Sequence, residues 1–143
     1  MDPEKITGIF RNLDEYVGHL QALSQTPREE FLADFTKTGS VRYYLQVAIG
    51  CCLDAANHII AALSLRPPAD YADAFRSLGE AGIVPDDFVA TLQQMAGLRN
   101  RLVHRYWLVD DEVLYQLITT ELGDFDRFKA CVIARLPEEQ QGS

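Results

Sequence analysis

Apolar residues recur at helical spacing along most of the chain, and the alternation typical of strands is nearly absent. The first apolar stripe predicts an amphipathic helix that begins at an Asp2 N-cap and ends near Leu23. Capping-box spacing over residues 26–29 then predicts a short second helix that carries Phe31, Leu32 and Phe35. Capping residues and helical spacing of apolar residues therefore predict helices from the beginning of the chain.

The longest apolar stretch, residues 41–65, follows an expected break at Gly39 and Ser40. A helix that is apolar on so much of its surface belongs at the centre of a bundle or in a dimer interface. Further helices are expected over about residues 71–81, stopped by Gly82, from Pro85 to near His104, and from a cap at Asp110 through Phe128. The pattern predicts an all-α, antiparallel bundle of about five to six helices in one domain, residues 1–136, with a loose tail over residues 137–143.

Composition narrows the classes of function. The net charge of −8 argues against a protein that coats nucleic acid with a broad basic face, but it allows a cleft with local positive charge. Cys51, Cys52 and Cys131 have neither disulfide nor zinc-site spacing and are expected to be buried thiols in a reducing compartment. The amino terminus has no signal-peptide pattern, and no apolar run approaches the roughly 18 residues of a membrane span. We therefore expect a cytoplasmic protein that makes no contact with a membrane.

Candidate chemistry is concentrated in the segment GLRNRLVHRYW, residues 97–107 of an otherwise acidic chain. Cleavage of RNA by the neighbouring 2′-hydroxyl needs a group that exchanges protons near neutral pH, which His104 supplies. It also needs fixed positive charge against the phosphate oxygens, which Arg99, Arg101 and Arg105 supply. This combination indicates a candidate phosphodiester site.

Spacing sets a condition on that site. On a straight helix, Arg99 and Tyr106 share a face, but His104 lies about 140° away from Arg99. Convergence therefore needs the helix to end near residues 102–104, or a second chain to complete the site. Asn100 and His104 are four positions apart and could form a hydrogen bond while the helix lasts. The residues alone also fit a solvated helix end, where arginines favour the negative end of the helix dipole and His104 caps or packs.

The segment resembles the HEPN superfamily and, within it, the HepT-like toxins. The family signature is Arg, four residues, His, one residue, Tyr, and it stands here as Arg99, His104 and Tyr106. The run GLRNRLVHRYWLVDDEVLYQL is similar to that family, as are RYYLQVAIGCCLDAANHIIAAL and DAFRSLGEAGIV upstream. The likeness extends from about Ile6 to Leu136.

The resemblance implies a homodimer with an RNA cleft at its two-fold interface, and a metal-independent endoribonuclease that needs no cofactor. It implies His104 as the general acid/base, Arg99 as the phosphate clamp and Asn100 as an orienting residue. Arg101 and Arg105 form the local basic strip that would contact the RNA substrate. It further implies an MntA-like nucleotidyltransferase antitoxin that transfers AMP to Tyr106, where the added charge and bulk would block the cleft.

The sequence allows more than one role for several other residues and more than one function for the chain. Asp54 and His58 are expected to form a polar pair inside the bundle, with an orienting role for Asp54 as the alternative. His19 is expected to be solvated, and Tyr43 and Tyr44 to pack in the core or an interface although they could stack on bases. The alternative functions are a non-catalytic HEPN module that partners a nucleotidyltransferase, or a plain structural bundle.

Overall fold

The computed structural model describes residues 1–136, which are helical with no strand in that range. The helices are α1 (Pro3–Ser24), α2 (Arg28–Ala33), α3 (Phe35–Ala62), α4 (Tyr71–Glu80), α5 (Asp86–His104), α6 (Asp111–Thr120) and α7 (Gly123–Ile133). A short 3₁₀ turn, Tyr106–Leu108, separates α5 from α6. The predicted all-α bundle is confirmed, and its seventh helix arises because the last predicted helix is divided in two. The predicted tail lies outside the described residues.

The first and third helices pack along each other and run antiparallel. The backbone N–H of Asp2, before α1, donates to Nε2 of His58 near the end of α3 at 3.1 Å. Further along α1, the ring of Tyr16 lies 6.3 Å from that of Tyr43 and 5.7 Å from that of Tyr44, near the beginning of α3. The start of α1 is as predicted, since the Asp2 carboxylate caps its first turn.

The expected break at Gly39 and Ser40 is wrong, because α3 already begins at Phe35. The reason is a local cap that the sequence analysis missed. The Asp34 carboxylate accepts hydrogen bonds from the backbone N–H of Thr36 at 3.0 Å and of Lys37 at 3.3 Å. The Thr36 hydroxyl also donates to this carboxylate. That bond, followed by the two backbone bonds, lowers the pKa of Asp34. Phe35 is therefore not part of the short second helix, and its side chain is 84% exposed.

The central position expected for the long apolar helix is confirmed, since α3 packs against α1, α2, α4, α5, α6 and α7. By length and composition alone α3 could also cross a membrane, so the expectation that no apolar run approaches that length is wrong. Of its most apolar stretch, 56% is buried inside the bundle. Such burial is typical of the core helix of a soluble protein.

Helices α4 and α5 are joined by a tight turn at the predicted glycine. Gly82 has φ +75°, a left-handed conformation that favours glycine, and its N–H donates to the carbonyl of Gly79 at 3.0 Å. The two helices then pack closely. A Cβ on Gly79 would lie 2.5 Å from Cγ2 of Val89 in α5. This close approach fixes α5, which carries most of the candidate site.

The final predicted helix is two helices, α6 and α7. Asp110 caps α6 as predicted, but the chain leaves the helical conformation at Glu121, where φ is −123° and ψ is 7°. The two preceding residues, Thr119 and Thr120, donate their hydroxyls back to carbonyls of the previous turn, a pattern that weakens and bends helices. The side chain of Val113 in α6 is 47% exposed.

Candidate active site

The basic segment occupies the last turns of α5 and the residues that follow. Leu98 and Leu102 are buried and fix the rotation of the helix, so the polar residues around them point away from the core. The helix continues to His104 and ends there, because Arg105 adopts φ −144° and ψ 47°. The predicted end of the helix near His104 is therefore confirmed.

Four of the predicted site residues line one cavity of about 700 Å³, which we call the His104 cavity. Its volume lies within the range typical of small-ligand sites. One wall comes from α5 and the residue that follows it, and the other from α3, the loop before α4 and the first residue of α4. The lining residues are Asn57, Pro68, Asp70, Tyr71, Asn100, Arg101, His104 and Arg105. The α5 residues of this lining were predicted from the sequence, whereas Asn57, Pro68, Asp70 and Tyr71 were not, since no local signal links the two sets.

Arg99 lines a different cavity, of about 400 Å³, which we call the Arg99 cavity. Asp54 and Glu15 also line it. The Arg99 guanidinium lies over the ring of Tyr71, 5.3 Å from its centroid, and Tyr71 lines the His104 cavity. Arg99 therefore lies between the two cavities. The end of α5 does not bring Arg99 and His104 to a common cavity within one chain.

Arg99 has an unsatisfied hydrogen-bond donor. Its Nε atom is buried and has no hydrogen-bond partner within the described part of the chain. The backbone of α3 leaves room for it at Gly50, where a Cβ would lie 3.7 Å from this nitrogen. A buried donor without an acceptor destabilises a protein by about 1–3 kcal/mol. An anion or a carbonyl oxygen from a bound molecule would satisfy it.

Charge distinguishes the two cavities. The His104 cavity is lined by Arg101, Arg105 and one carboxylate, that of Asp70, which already accepts a hydrogen bond from the backbone N–H of Asp73 at 2.8 Å. In the Arg99 cavity one guanidinium faces two carboxylates. The His104 cavity is therefore the site with local positive charge in a chain of net charge −8, as a phosphate ligand requires.

Tyr106 lies in the 3₁₀ turn and is 62% exposed, as is its neighbour Trp107 at 67%. A clamp that the sequence analysis missed holds this turn. Arg42 of α3 donates to the carbonyl oxygens of Tyr106 at 3.0 Å and Val109 at 2.5 Å, and to Oδ1 of Asp111 at 2.8 Å. The backbone beside Tyr106 is thus fixed while its side chain is open to solvent.

Two side-chain pairs, one expected and one that the spacing allows, are not formed. His58 accepts from the backbone of Asp2 rather than pairing with Asp54, and the exposed Asp54 carboxylate lines the Arg99 cavity instead. The prediction of an Asp54–His58 pair is therefore wrong, because the antiparallel packing of α1 supplies a nearer donor. Within residues 1–136, Asn100 and His104 form no hydrogen bond with each other either.

The remaining candidate residues, His19, Tyr43, Tyr44 and the cysteines, line neither the His104 cavity nor, apart from Cys51, the Arg99 cavity. His19 is exposed as expected, and its ring lies 5.0 Å from that of Tyr44. Tyr43 is 55% exposed, so it does not pack in the core of this chain. The three cysteines are free thiols, and Cys51 and Cys52 are buried as expected, but Cys131 is only partly buried. Burial raises the pKa of Cys51 to about 11. In the described part of the chain, no group of three or more histidine, cysteine, aspartate or glutamate side chains could hold a metal ion.

Comparisons with known proteins point to one family. The family model described as ribonuclease HepT-like matches residues 13–132. The chain is 32% identical over 99 residues to the mRNA nuclease HepT of Shewanella oneidensis, covering 69% of this chain and 74% of that protein. It is 25% identical over 125 residues to the tRNA nuclease HepT of Aphanizomenon flos-aquae, covering 87% of this chain and 85% of that protein.

A solved structure agrees with these matches. The tri-AMPylated HEPN toxin of Shewanella oneidensis, solved in complex with MNT antitoxin, superposes with a TM-score of 0.87. Its sequence is 27% identical, and the alignment covers 94% of this chain and 100% of that one. The likeness thus extends over nearly the whole chain in both sequence and fold.

Proposed function

The chain belongs to the HepT-like ribonuclease family, and from that premise we propose that it is an endoribonuclease toxin that cuts RNA without a metal. The observation that carries the proposal is the His104 cavity, where an imidazole, two guanidinium groups and an amide meet. We further propose that the toxin acts in the cytoplasm and that a cognate MntA-like nucleotidyltransferase antitoxin restrains it. Homologues named as mRNA and tRNA nucleases support the choice of RNA as substrate.

The proposed reaction uses the RNA's own nucleophile. The 2′-hydroxyl oxygen attacks the adjacent phosphorus and forms a new P–O2′ bond, while the P–O5′ bond breaks. His104 exchanges the proton that leaves the 2′-hydroxyl or the one that the 5′-oxygen gains. Arg101 and Arg105 stabilise the charge that builds on the phosphate oxygens, and Asn100 orients the imidazole or the phosphate. The products are a 2′,3′-cyclic phosphate and a 5′-hydroxyl.

Arg99 enters this scheme through a homodimer. Because Arg99 and His104 line different cavities of one chain, we propose that a second copy brings its own motif to complete the site. Exposed apolar side chains beside the motif support an interface there: Val103 is 37% exposed and Leu108 is 56% exposed. A buried Arg99 Nε without a partner would then gain an acceptor from the bound phosphate.

Regulation is proposed to act on Tyr106. Its exposed side chain in a fixed turn suits a residue that another enzyme must reach. Transfer of AMP from ATP would form a bond between the α-phosphorus and the phenolic oxygen, which loses its proton, and would release pyrophosphate. The product would carry added negative charge and bulk next to Arg105. The adenylate would then compete with the RNA phosphate for the same basic strip.

The nuclease proposal is tested with purified protein and RNA in the presence of EDTA. We expect cleavage by the wild type and a loss of at least about 100-fold in His104→Ala, the usual size of a general acid/base contribution. Arg99→Ala should also lose activity, whereas His19→Ala, which changes an exposed histidine on α1, should not. Circular dichroism checks folding. Retained cleavage by folded His104→Ala would remove the assigned mechanism, and loss of wild-type cleavage in EDTA would contradict metal independence.

The regulatory proposal is tested by co-expression with the MntA-like partner and measurement of intact mass. We expect a gain of whole AMP units that maps to Tyr106 and is absent from Tyr106→Phe. Tyr43→Phe, which changes another exposed tyrosine, is the matched control and should still be modified. Modification of a different residue would contradict the assignment. Partner binding without cleavage under any condition would favour the non-catalytic HEPN module instead.

A further inference from the structure

The two walls of the His104 cavity differ in chemistry. The α5 wall carries the imidazole and the two guanidinium groups, which suit a phosphate. The other wall carries a neutral amide from Asn57, the apolar ring of Pro68 and the aromatic ring of Tyr71. It also carries the carboxylate of Asp70, which already accepts a hydrogen bond from the backbone N–H of Asp73. A cavity of about 700 Å³ is larger than a single phosphate group needs. The cavity therefore has room for a second chemical group beside the phosphate.

Tyr71 offers a stacking surface. It is the first residue of α4 and is 46% exposed. The Arg99 guanidinium already lies over its ring at 5.3 Å, so the surface that the ring gives to the cavity is its other face or its edge. In the described part of the chain no aromatic ring stacks on it. Unpaired nucleobases stack on tyrosine rings regardless of their identity, because every base has a π-face.

Asn57 offers a polar group that can distinguish bases. Its side chain is exposed on α3 and lines the cavity. Among residues 1–136 it makes no side-chain hydrogen bond, so both its NH₂ donor and its carbonyl acceptor are free to bind a ligand. An asparagine amide presents donor and acceptor side by side and pairs with the edge of a base.

The loop between α3 and α4 holds this wall in place. Arg66 donates to the carboxylates of Asp73 and Glu80, each at 2.7 Å, and the Ser77 hydroxyl donates to the Arg66 carbonyl at 2.7 Å. The backbone N–H of Ala69 donates to Asp73 at 2.9 Å. A loop tied at both ends presents Pro68 and Tyr71 without first being ordered, which favours tight and selective binding.

We propose that Asn57 and Tyr71 form a base-binding subsite that selects one unpaired RNA base beside the scissile phosphate. The base stacks on Tyr71, and its hydrogen-bonding edge meets the Asn57 amide while the phosphate faces His104. This inference rests on the proposed nuclease function. It adds a source of sequence preference that the catalytic motif lacks, because His104, Arg101 and Arg105 act on the sugar–phosphate backbone, which is the same for every base.

The test compares cleavage of single-stranded RNAs that carry each of the four bases at a single variable position beside the cut. The wild type should prefer some bases over others. Asn57→Asp removes the NH₂ donor at constant size and should change the ratio of kcat/KM between the best and worst base by about tenfold. Tyr71→Leu should raise KM about tenfold for every base, whereas Tyr71→Phe should retain wild-type values. Gln116→Glu is the matched control, since it makes the same amide-to-acid change on α6, lines neither cavity and should keep the wild-type base profile.

An unchanged base profile in folded Asn57→Asp would overturn the subsite. If that variant fails to fold, Asn57→Ser removes the amide and gives the same test. A second measurement separates this inference from the proposed nuclease function. Calorimetry measures the binding of four RNA trinucleotides that differ in one base. The two proteins compared are His104→Ala and the double variant His104→Ala, Asn57→Asp. A base preference that disappears with Asn57→Asp would support the subsite even if the wild type cut no RNA, and equal affinities for all four would overturn it.

Discussion

Removal of the Arg42 guanidinium should loosen the turn that carries Tyr106 without unfolding the bundle. Among residues 1–136, Arg42 makes the only hydrogen bonds from α3 to the backbone of residues 106–109, through the carbonyl oxygens of Tyr106 and Val109. Its third bond, to Asp111, ties the same turn to the beginning of α6. Since the Arg42 side chain is only 25% exposed, these bonds are partly shielded from water.

The magnitude follows from the number and kind of bonds. Hydrogen bonds from a charged donor contribute about 1.5–3 kcal/mol each when buried, and less when water competes. For three partly shielded bonds we expect Arg42→Ala to lower the free energy of opening the turn by roughly 2 kcal/mol. That corresponds to about a 30-fold rise in the population of the open turn.

Hydrogen exchange measures this opening directly. The N–H of Leu108 donates to the carbonyl of Arg105 at 2.8 Å, and the N–H of Val109 to that of Tyr106 at 3.1 Å. Both amides should exchange about 30-fold faster in Arg42→Ala, while amides in the centre of α3 should not change.

Arg28→Ala is the matched control. Arg28 pairs with Glu112, also at the beginning of α6, but both side chains are more than half exposed and no backbone carbonyl is involved. Its loss should change stability by less than about 0.5 kcal/mol. If the Leu108 and Val109 amides exchange at the same rate in Arg42→Ala and in Arg28→Ala, the clamp does not hold the turn and this reasoning is refuted.

Further predictions concern packing and pH. Gly79→Ala should destabilise the fold by about 1–3 kcal/mol in urea titrations, because the new Cβ meets Cγ2 of Val89 at 2.5 Å; an equal or higher midpoint would contradict the close packing of α4 and α5. Gly50→Ala, whose Cβ meets nothing closer than 3.7 Å, should stabilise by up to about 1 kcal/mol in the same assay through helix propensity. Hydrogen bonds from Arg66 lower the pKa of Asp73 from 3.8 to about 2. The resulting stabilisation is present above pH 3.8 and is lost as the pH falls towards 2, so the melting temperature of Asp73→Asn should be lower near neutral pH and should converge on that of wild type in acid.

Local chemistry accounts for the features that the sequence predicts well. The caps at Asp2 and Asp110 and the left-handed Gly82 each depend on residues within one turn of the chain, and all three are where the pattern places them. The end of α5 near His104 is of the same kind. The cluster of Asn100, Arg101, His104 and Arg105 on one cavity follows, because residues four positions apart lie on the same face of a helix.

Features that depend on contacts between distant segments could not be read from the sequence. Arg42 reaches the turn at Tyr106 from 64 positions away, and the His58 partner lies 56 positions away. The Asn57 and Tyr71 wall of the cavity belongs with α5 only once the bundle has formed. The spacing of apolar residues describes one helix at a time. It therefore predicts which face of a helix is buried but not which other helix packs against that face.

Helical geometry makes a final prediction about the active site. The five positions between Arg99 and His104 rotate the chain by about 140° on a continuous helix, and α5 is continuous to His104, so each chain presents the two groups to different cavities. If a second copy completes the site, each site takes Arg99 from one chain and His104 from the other. Dimers of Arg99→Ala alone or of His104→Ala alone are then inactive. A mixed dimer has one intact site, with His104 from the Arg99→Ala chain and Arg99 from the His104→Ala chain.

Random re-association of equal amounts gives mixed dimers in half of the population, each with one of two sites intact, so about a quarter of wild-type activity should return. The two variants are unfolded and refolded together, mixed dimers are verified by two affinity tags, and RNA cleavage is compared with that of each variant refolded alone. Wild-type protein refolded in the same way gives the reference. Verified mixed dimers without recovered activity would mean that both groups act from the same chain, and the rotation between them would then have to be undone by a change in α5 rather than by a partner.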